Sequence, residues 1–167
     1  MRGRAHVYPR AHITNDEIIP ARHLAANEEA RLAAHALEGV DPEFGARVQK
    51  GDIVVAGEDF GCGASREQAI WALRGAKVAA VVAKSFARVF FRDALNNGFI
   101  VVECAQAVER SETGDLLEID LKEGMVRNLT KGESFTFVPL TPFAMEILEA
   151  GGLLPYVMRQ TTGASSA

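Results

Sequence analysis

In Gly61-Cys62-Gly63-Ala64-Ser65-Arg66-Glu67, two glycines are followed at once by a hydroxyl, a guanidinium and the start of a helical pattern. That order suits the capture of an anion. A helix start offers unpaired N–H groups and the positive end of the macrodipole, and glycines let a ligand come close to the backbone. A carboxylate or phosphate would take a bidentate fork from Arg66 and a hydroxyl from Ser65, beside the backbone of Gly63 and Ala64. The structural alternative is a Gly-rich strand-to-helix turn with Ser65 as its N-cap, and the segment alone does not separate the two.

The remaining reactive side chains carry weaker signals. Cys62 is either a thiol activated at a helix start or a small side chain filling the turn. Arg88 and Arg92, at i and i+4, share one helix face and either add positive potential toward the turn or pair with surface Glu and Asp. His6, His12 and His35 have no ligand spacing, so no metal site is expected on this chain.

These residues need a scaffold, and 167 residues suffice for one compact domain. A formal charge of -4 with interspersed signs excludes a clustered basic face for nucleic acid. No apolar run of about 18 residues or secretory pattern is visible, so a cytoplasmic protein without a membrane span is expected. Two cysteines without CxxC spacing are too few for a disulfide scaffold or an all-cysteine iron-sulfur site.

Short strands alternate with helices along the first hundred residues. Ala5 to Tyr8 reads as a strand, Glu28 to Glu38 as a helix with Asn27 as cap and Gly39 as stop, and Asp52 to Ala56 as a buried strand. Arg66 to Leu73 is a helix, Val78 to Ala83 a strand, and Ser85 caps a further helix that runs to about Asn97 with Phe86, Val89, Phe90 and Ala94 inward. Phe99 to Val102 closes the series. This order predicts parallel strands joined by crossover helices. Alternation over Leu116–Leu121, Met125–Leu129 and Ser134–Val138 then predicts short antiparallel strands. A helix over Pro142 to Ala150 stops at Gly151-Gly152, and the small polar residues 161–167 suggest a disordered tail after a domain spanning 1–160. The expected fold class is α/β, a mixed sheet with flanking helices in a single domain.

Three ordered motifs carry a family resemblance: Asp16-Glu17-Ile18-Ile19-Pro20, Gly57 through Ala69, and Ser85-Phe86-Ala87-Arg88-Val89-Phe90. Over residues 4 to 159 the chain resembles the small subunits of 3-isopropylmalate dehydratase. These are free-standing swivelling domains of the aconitase superfamily, in the compact archaeal-type form shared with homoaconitase and 2,3-dimethylmalate dehydratase. The resemblance implies a swivelling β/β/α domain and a hydro-lyase of amino-acid (leucine) biosynthesis, active only with a large subunit that carries a [4Fe-4S] cluster. This chain would bind no cofactor itself. The substrate would be a small hydroxy diacid, and self-association of the isolated chain is left open.

The resemblance also implies roles for individual residues. Arg66 would hold a carboxylate while a partner iron binds the departing hydroxyl, and a serine alkoxide would remove the weakly acidic proton. Family members carry two serines before the arginine, with the first credited as base, but here that position is Ala64. Either Ser65 takes the base role, a partner residue does, or the chain is a non-catalytic anion-binding homologue. The loop after the Ile-Ile-Pro segment is implied in substrate choice, and here it reads His23-Leu24-Ala25-Ala26 rather than Tyr-Leu-Arg-Thr. Small apolar side chains suit an isopropyl or methyl group better than a distal carboxylate. Arg22 and His23 beside the loop would restore some positive charge, or are solvated turn residues. Asp16 is either a turn residue or a substrate contact.

Overall fold

The structure, a computed structural model, describes residues 1–165; residues 166 and 167 of the expected disordered tail lie outside the described residues. Strands β1 (Arg2–Tyr8), β2 (Ile53–Ala56), β3 (Ala80–Ala83) and β4 (Ile100–Glu103) run parallel. Strands β5 (Leu116–Asp120), β6 (Met125–Asn128) and β7 (Glu133–Thr136) add antiparallel to the free side of β1. The result is one seven-stranded mixed sheet in the order β4-β3-β2-β1-β5-β6-β7.

The two halves bury their strands differently. Every residue of β2 and β3 is buried, as expected of parallel strands covered on both faces, whereas β5 alternates between buried and half-buried positions. On β2 the two-residue period sends Val54 and Ala56 into one core with Ile18, Phe44, Phe60 and Ile70. Ile53 and Val55 enter a second core with Val102, Leu117, Ile119 and Phe135.

Eight helices flank the sheet among the described residues. The short α1 (Asn15–Ile18), α2 (Glu29–Ala33) and α3 (Phe44–Arg47) lie in the long β1–β2 connection. Then α4 (Glu67–Gly75) follows β2, α5 (Arg88–Asn96) follows β3 and α6 (Ala105–Arg110) follows β4. The chain ends in α7 (Pro142–Ala150) and α8 (Leu153–Ser165).

Several local expectations need correction. The helix read over 28–38 covers only Glu29–Ala33 because Leu37 takes a left-handed φ of 55° and its N–H donates to the Ile18 carbonyl at 2.7 Å. Gly39 likewise donates to Glu17, so tertiary bonds replace the last helical turns, and Glu28 rather than Asn27 stands at the N-cap. Ser85 does not cap α5, whose N-cap is Ala87; its hydroxyl instead accepts the Asp59 N–H at 2.8 Å. Val89 is 49% exposed, while Phe86, Phe90 and Ala94 do face the core. Helix α8 also runs through residues 161–165, where composition predicts a disordered tail.

Candidate active site

Three segments distant in sequence meet at the glycine turn. The Gly61 N–H donates to the Ile13 carbonyl, the Asn15 N–H to the Cys62 carbonyl, the Phe60 N–H to the Ser85 carbonyl and the Ala87 N–H to the Phe60 carbonyl. Thr14 caps α1 by accepting the Glu17 N–H at 3.1 Å, which turns the buried Asn15 toward the glycines. The Asn15 amide then donates to the Gly61 carbonyl at 2.8 Å and the Ala64 carbonyl at 3.0 Å. Two carbonyl partners fix the amide's orientation and leave its Oδ1 buried without a hydrogen bond. Asn15 was not among the expected site residues, because nothing in the sequence places its amide against the carbonyls of residues 61 and 64.

Gly61 and Gly63 are both required in the left-handed region, at φ 83° and 82°, but for separate reasons. A Cβ on Gly61 would fall 2.3 Å from the Phe90 ring, whereas one on Gly63 would meet nothing closer than Thr14 at 3.8 Å. Gly61→Ala is therefore expected to destabilise the chain by roughly 2–5 kcal/mol, from backbone strain plus overpacking. Gly63→Ala should cost only the strain, about 1–3 kcal/mol. Denaturant midpoints of the two variants check the difference, and equal losses would show that Phe90 moves freely.

Beyond the glycines the chain presents its polar pair. Ser65 is not the helix cap: Arg66 occupies the N-cap of α4 without a side-chain cap bond. The Ser65 hydroxyl donates to Asp93 Oδ2 at 3.1 Å. Asp93, on α5, was not foreseen as a site residue. The Arg66 guanidinium donates from Nη1 to Asp16 Oδ1 at 2.7 Å and to the Ile19 carbonyl at 3.2 Å, with its side chain 20% exposed. Asp16 also accepts the Ala21 N–H. The Arg66 hydrogen bond, reinforced by that of Ala21, holds the Asp16 carboxyl below its ordinary range. Asp16 thus orients the Arg66 guanidinium at the turn.

The loop predicted to choose the substrate starts from the same Asp16. A 3-10 turn at Ala21–His23 leads into Leu24, which packs on the core, while Ala25 lines a cleft of about 540 Å³ with Arg22, His23, Ala26, Arg31, Ala34 and His35. The cleft's cations are already engaged. Arg22 bonds Glu38, and Arg31 pairs with Glu28 at 3.5 Å. His23 and His35 stack with centroids 3.6 Å apart and point nitrogens at Glu38 Oε2, at 3.0 and 2.6 Å. Burial works to raise the Glu38 carboxyl, but Arg22 and His35 outweigh it and hold the group below its usual range. The structure therefore gathers Asp16, Gly63, Ala64, Ser65 and Arg66 at one turn, with Arg22, His23 and Ala25 on the neighbouring cleft.

An iron-sulfur cluster does not fit this chain alone. Its two cysteines are divided, with Cys62 in the glycine turn and Cys104 buried in the core on the opposite face of the sheet. An all-cysteine cluster needs more thiolates than they supply.

A sheet built from both parallel and antiparallel strands, with a serine-arginine turn at one crossover, defines a domain class. The chain belongs to the Aconitase C-terminal domain family, whose match covers residues 11–107. Within that family its relatives are small subunits of 3-isopropylmalate dehydratase. The subunit of Deinococcus deserti is 54% identical over 157 residues, covering 94% of this chain and 87% of its own length. That of Moorella thermoacetica is 47% identical over 160 residues, 96% of each chain. The solved structure of 3-isopropylmalate dehydratase from Methanocaldococcus jannaschii superposes with a TM-score of 0.94 at 38% identity, covering 99% of this chain and 97% of that one. The expected swivelling-domain fold is thereby borne out.

Proposed function

We propose that this chain is the small subunit of a two-chain hydro-lyase that interconverts 2- and 3-isopropylmalate by dehydration and rehydration in leucine biosynthesis. The observation that carries the reading is the Arg66 guanidinium, poised beside the Ser65 hydroxyl at a glycine turn in a chain of this family. A large subunit supplies the remainder of the site, including the [4Fe-4S] cluster for which this chain lacks thiolates. Two free cysteines, with no disulfide, suit the reducing cytoplasm as the compartment. Among the described residues no helix is long and apolar enough to cross a membrane.

The residues divide the work in a definite way. Arg66, held by Asp16 and the Ile19 carbonyl through Nη1, offers its other nitrogens to a substrate carboxylate and stabilises charge that builds on it as the neighbouring C–H is broken. Ser65 Oγ takes that proton while its own passes to Asp93, the carboxylate already accepting its hydrogen bond. Gly63 and the Ala64 backbone leave room for the diacid at the turn. On the cleft side, the methyls of Ala25, Ala26 and Ala34 face the alkyl group, while Arg22 and Arg31 stay paired with Glu38 and Glu28.

Substrate choice follows from that pairing. A distal carboxylate would enter without a free guanidinium, at a cost of about 2–5 kcal/mol for an unpaired desolvated charge. The pair reconstituted with its large subunit should therefore turn over 3-isopropylmalate at least ~30-fold better in kcat/KM than homocitrate. Steady-state assays of 3-isopropylmalate, 2,3-dimethylmalate and homocitrate decide this. Preference for homocitrate would overturn the alkyl pocket, and inactivity on all three would overturn the enzyme itself.

A further inference from the structure

We propose that His12, Asp59 and Cys62 form a binding site for one divalent cation of zinc-like character, at the back of the glycine turn. Their ligand atoms all lie within 4.8 Å of one another, and His12 Nδ1 is 2.9 Å from Asp59 Oδ2. Imidazole nitrogen, carboxylate oxygen and thiolate sulfur together are a ligand set for a borderline-soft ion, and three protein ligands leave the fourth tetrahedral position to water.

Several independent features of the site agree. His12 and Asp59 are two of only four non-glycine residues with left-handed φ among those described, at 58° and 55°, and both belong to this cluster. The segments that carry them are tied by the His12 N–H to Glu58 carbonyl bond and by the bridge between Thr14 and Cys62. The His12 side chain is 69% exposed and that of Asp59 41%, so an ion can enter from solvent. Charge also balances, since a thiolate and a carboxylate neutralise a doubly charged cation. Burial first and then the Asp59 and Glu17 carboxylates push the Cys62 thiol up. A cation reverses this by taking the sulfur as thiolate, releasing its proton to solvent.

The other gathering of ligand atoms, His23, His35 and Glu38, serves as the internal contrast. Its stacked imidazoles already direct both nitrogens at one Glu38 oxygen, at 3.0 and 2.6 Å. Arg22 moreover already neutralises Glu38. An ion at His12, Asp59 and Cys62 would clamp the entry segment to the turn that presents Ser65 and Arg66.

Spectroscopy of the full-length chain, stripped with a chelator and titrated with Co²⁺ and then Zn²⁺, tests the proposal. One equivalent of Co²⁺ should give a thiolate-to-cobalt charge-transfer absorption that Zn²⁺ abolishes by displacement. His12→Asn, which keeps a residue tolerant of left-handed φ, and Cys62→Ala should each weaken Zn²⁺ binding at least ~10-fold, and His35→Ala should leave it unchanged. The site is overturned if no thiolate band appears, if the band survives Cys62→Ala, if affinity is unaltered in His12→Asn, or if His35→Ala is the variant that loses the ion.

Discussion

Turnover by the reconstituted two-chain enzyme is expected to fall by about 10²–10⁴-fold when Ser65 is replaced by alanine, the range set by removing a positioned general base. KM should change little, because Arg66 and the backbone of the turn still hold the substrate carboxylate. The reason for choosing Ser65 is geometric. Ala64 has only a methyl at the position where the family resemblance implies a catalytic serine, whereas the Ser65 hydroxyl already has a carboxylate acceptor in Asp93. Asp93→Asn keeps an oxygen at that position but cannot take the proton, so it should lower kcat as well, by a smaller factor. Ala64→Ser in the Ser65→Ala background should recover part of the rate if the two positions reach the same proton. An unchanged kcat in Ser65→Ala would exclude Ser65 as the base and transfer that role to the large subunit.

The second large effect belongs to Arg66. Arg66→Lys preserves the charge but loses the planar fork that reaches Asp16 and the Ile19 carbonyl from one nitrogen while offering others to substrate. A loss of about 10²–10³-fold in kcat/KM is expected, comparable to removing one preorganised donor from a developing charge. Calorimetric titration with an unreactive diacid separates binding from chemistry. Affinity and kcat should both decline, because Arg66 acts on the ground state and on the charge that follows. Wild-type affinity in Arg66→Lys would mean that a point charge suffices and that the fork has no role.

Glycine-turn substitutions complement these variants, since they test how the pair is presented rather than what it does. Gly61 is fixed by the Phe90 ring and Gly63 only by its own backbone angle. The aromatic cluster of Phe60, Phe86 and Phe90 lies under the turn, with Phe60 edge-on to Phe90 at 5.2 Å. Core packing beneath the site therefore sets the position of Ser65 and Arg66.

Much of this was legible in the chain itself. The apolar runs at 53–56 and 78–83 and the alternation after residue 116 gave the parallel and antiparallel halves of the sheet, because burial on two faces or on one writes directly into residue order. The helix over 28–38 failed for the opposite reason. Its alanine-rich pattern favours a helix locally, but bonds from Leu37 and Gly39 to Ile18 and Glu17 outweigh that weak propensity. Val89 reads as core on spacing and is exposed because α5 turns its Phe90 and Ala94 face inward.

What the sequence alone determined is the contiguous part of the site: two glycines, a serine and an arginine ahead of a helix, together with an alanine where the expected base should stand. Only the tertiary structure decided the partners. Asp93 reaches Ser65 across 28 residues, Asp16 reaches Arg66 across 50, and Asp59 reaches His12 across 47. The physical reason is the parallel crossover topology, which brings the C-terminal ends of β1, β2 and β3 to the same end of the sheet although the loops that follow them are far apart in sequence. Periodicity reports which face of an element is buried, but not which distant loop will stand opposite it.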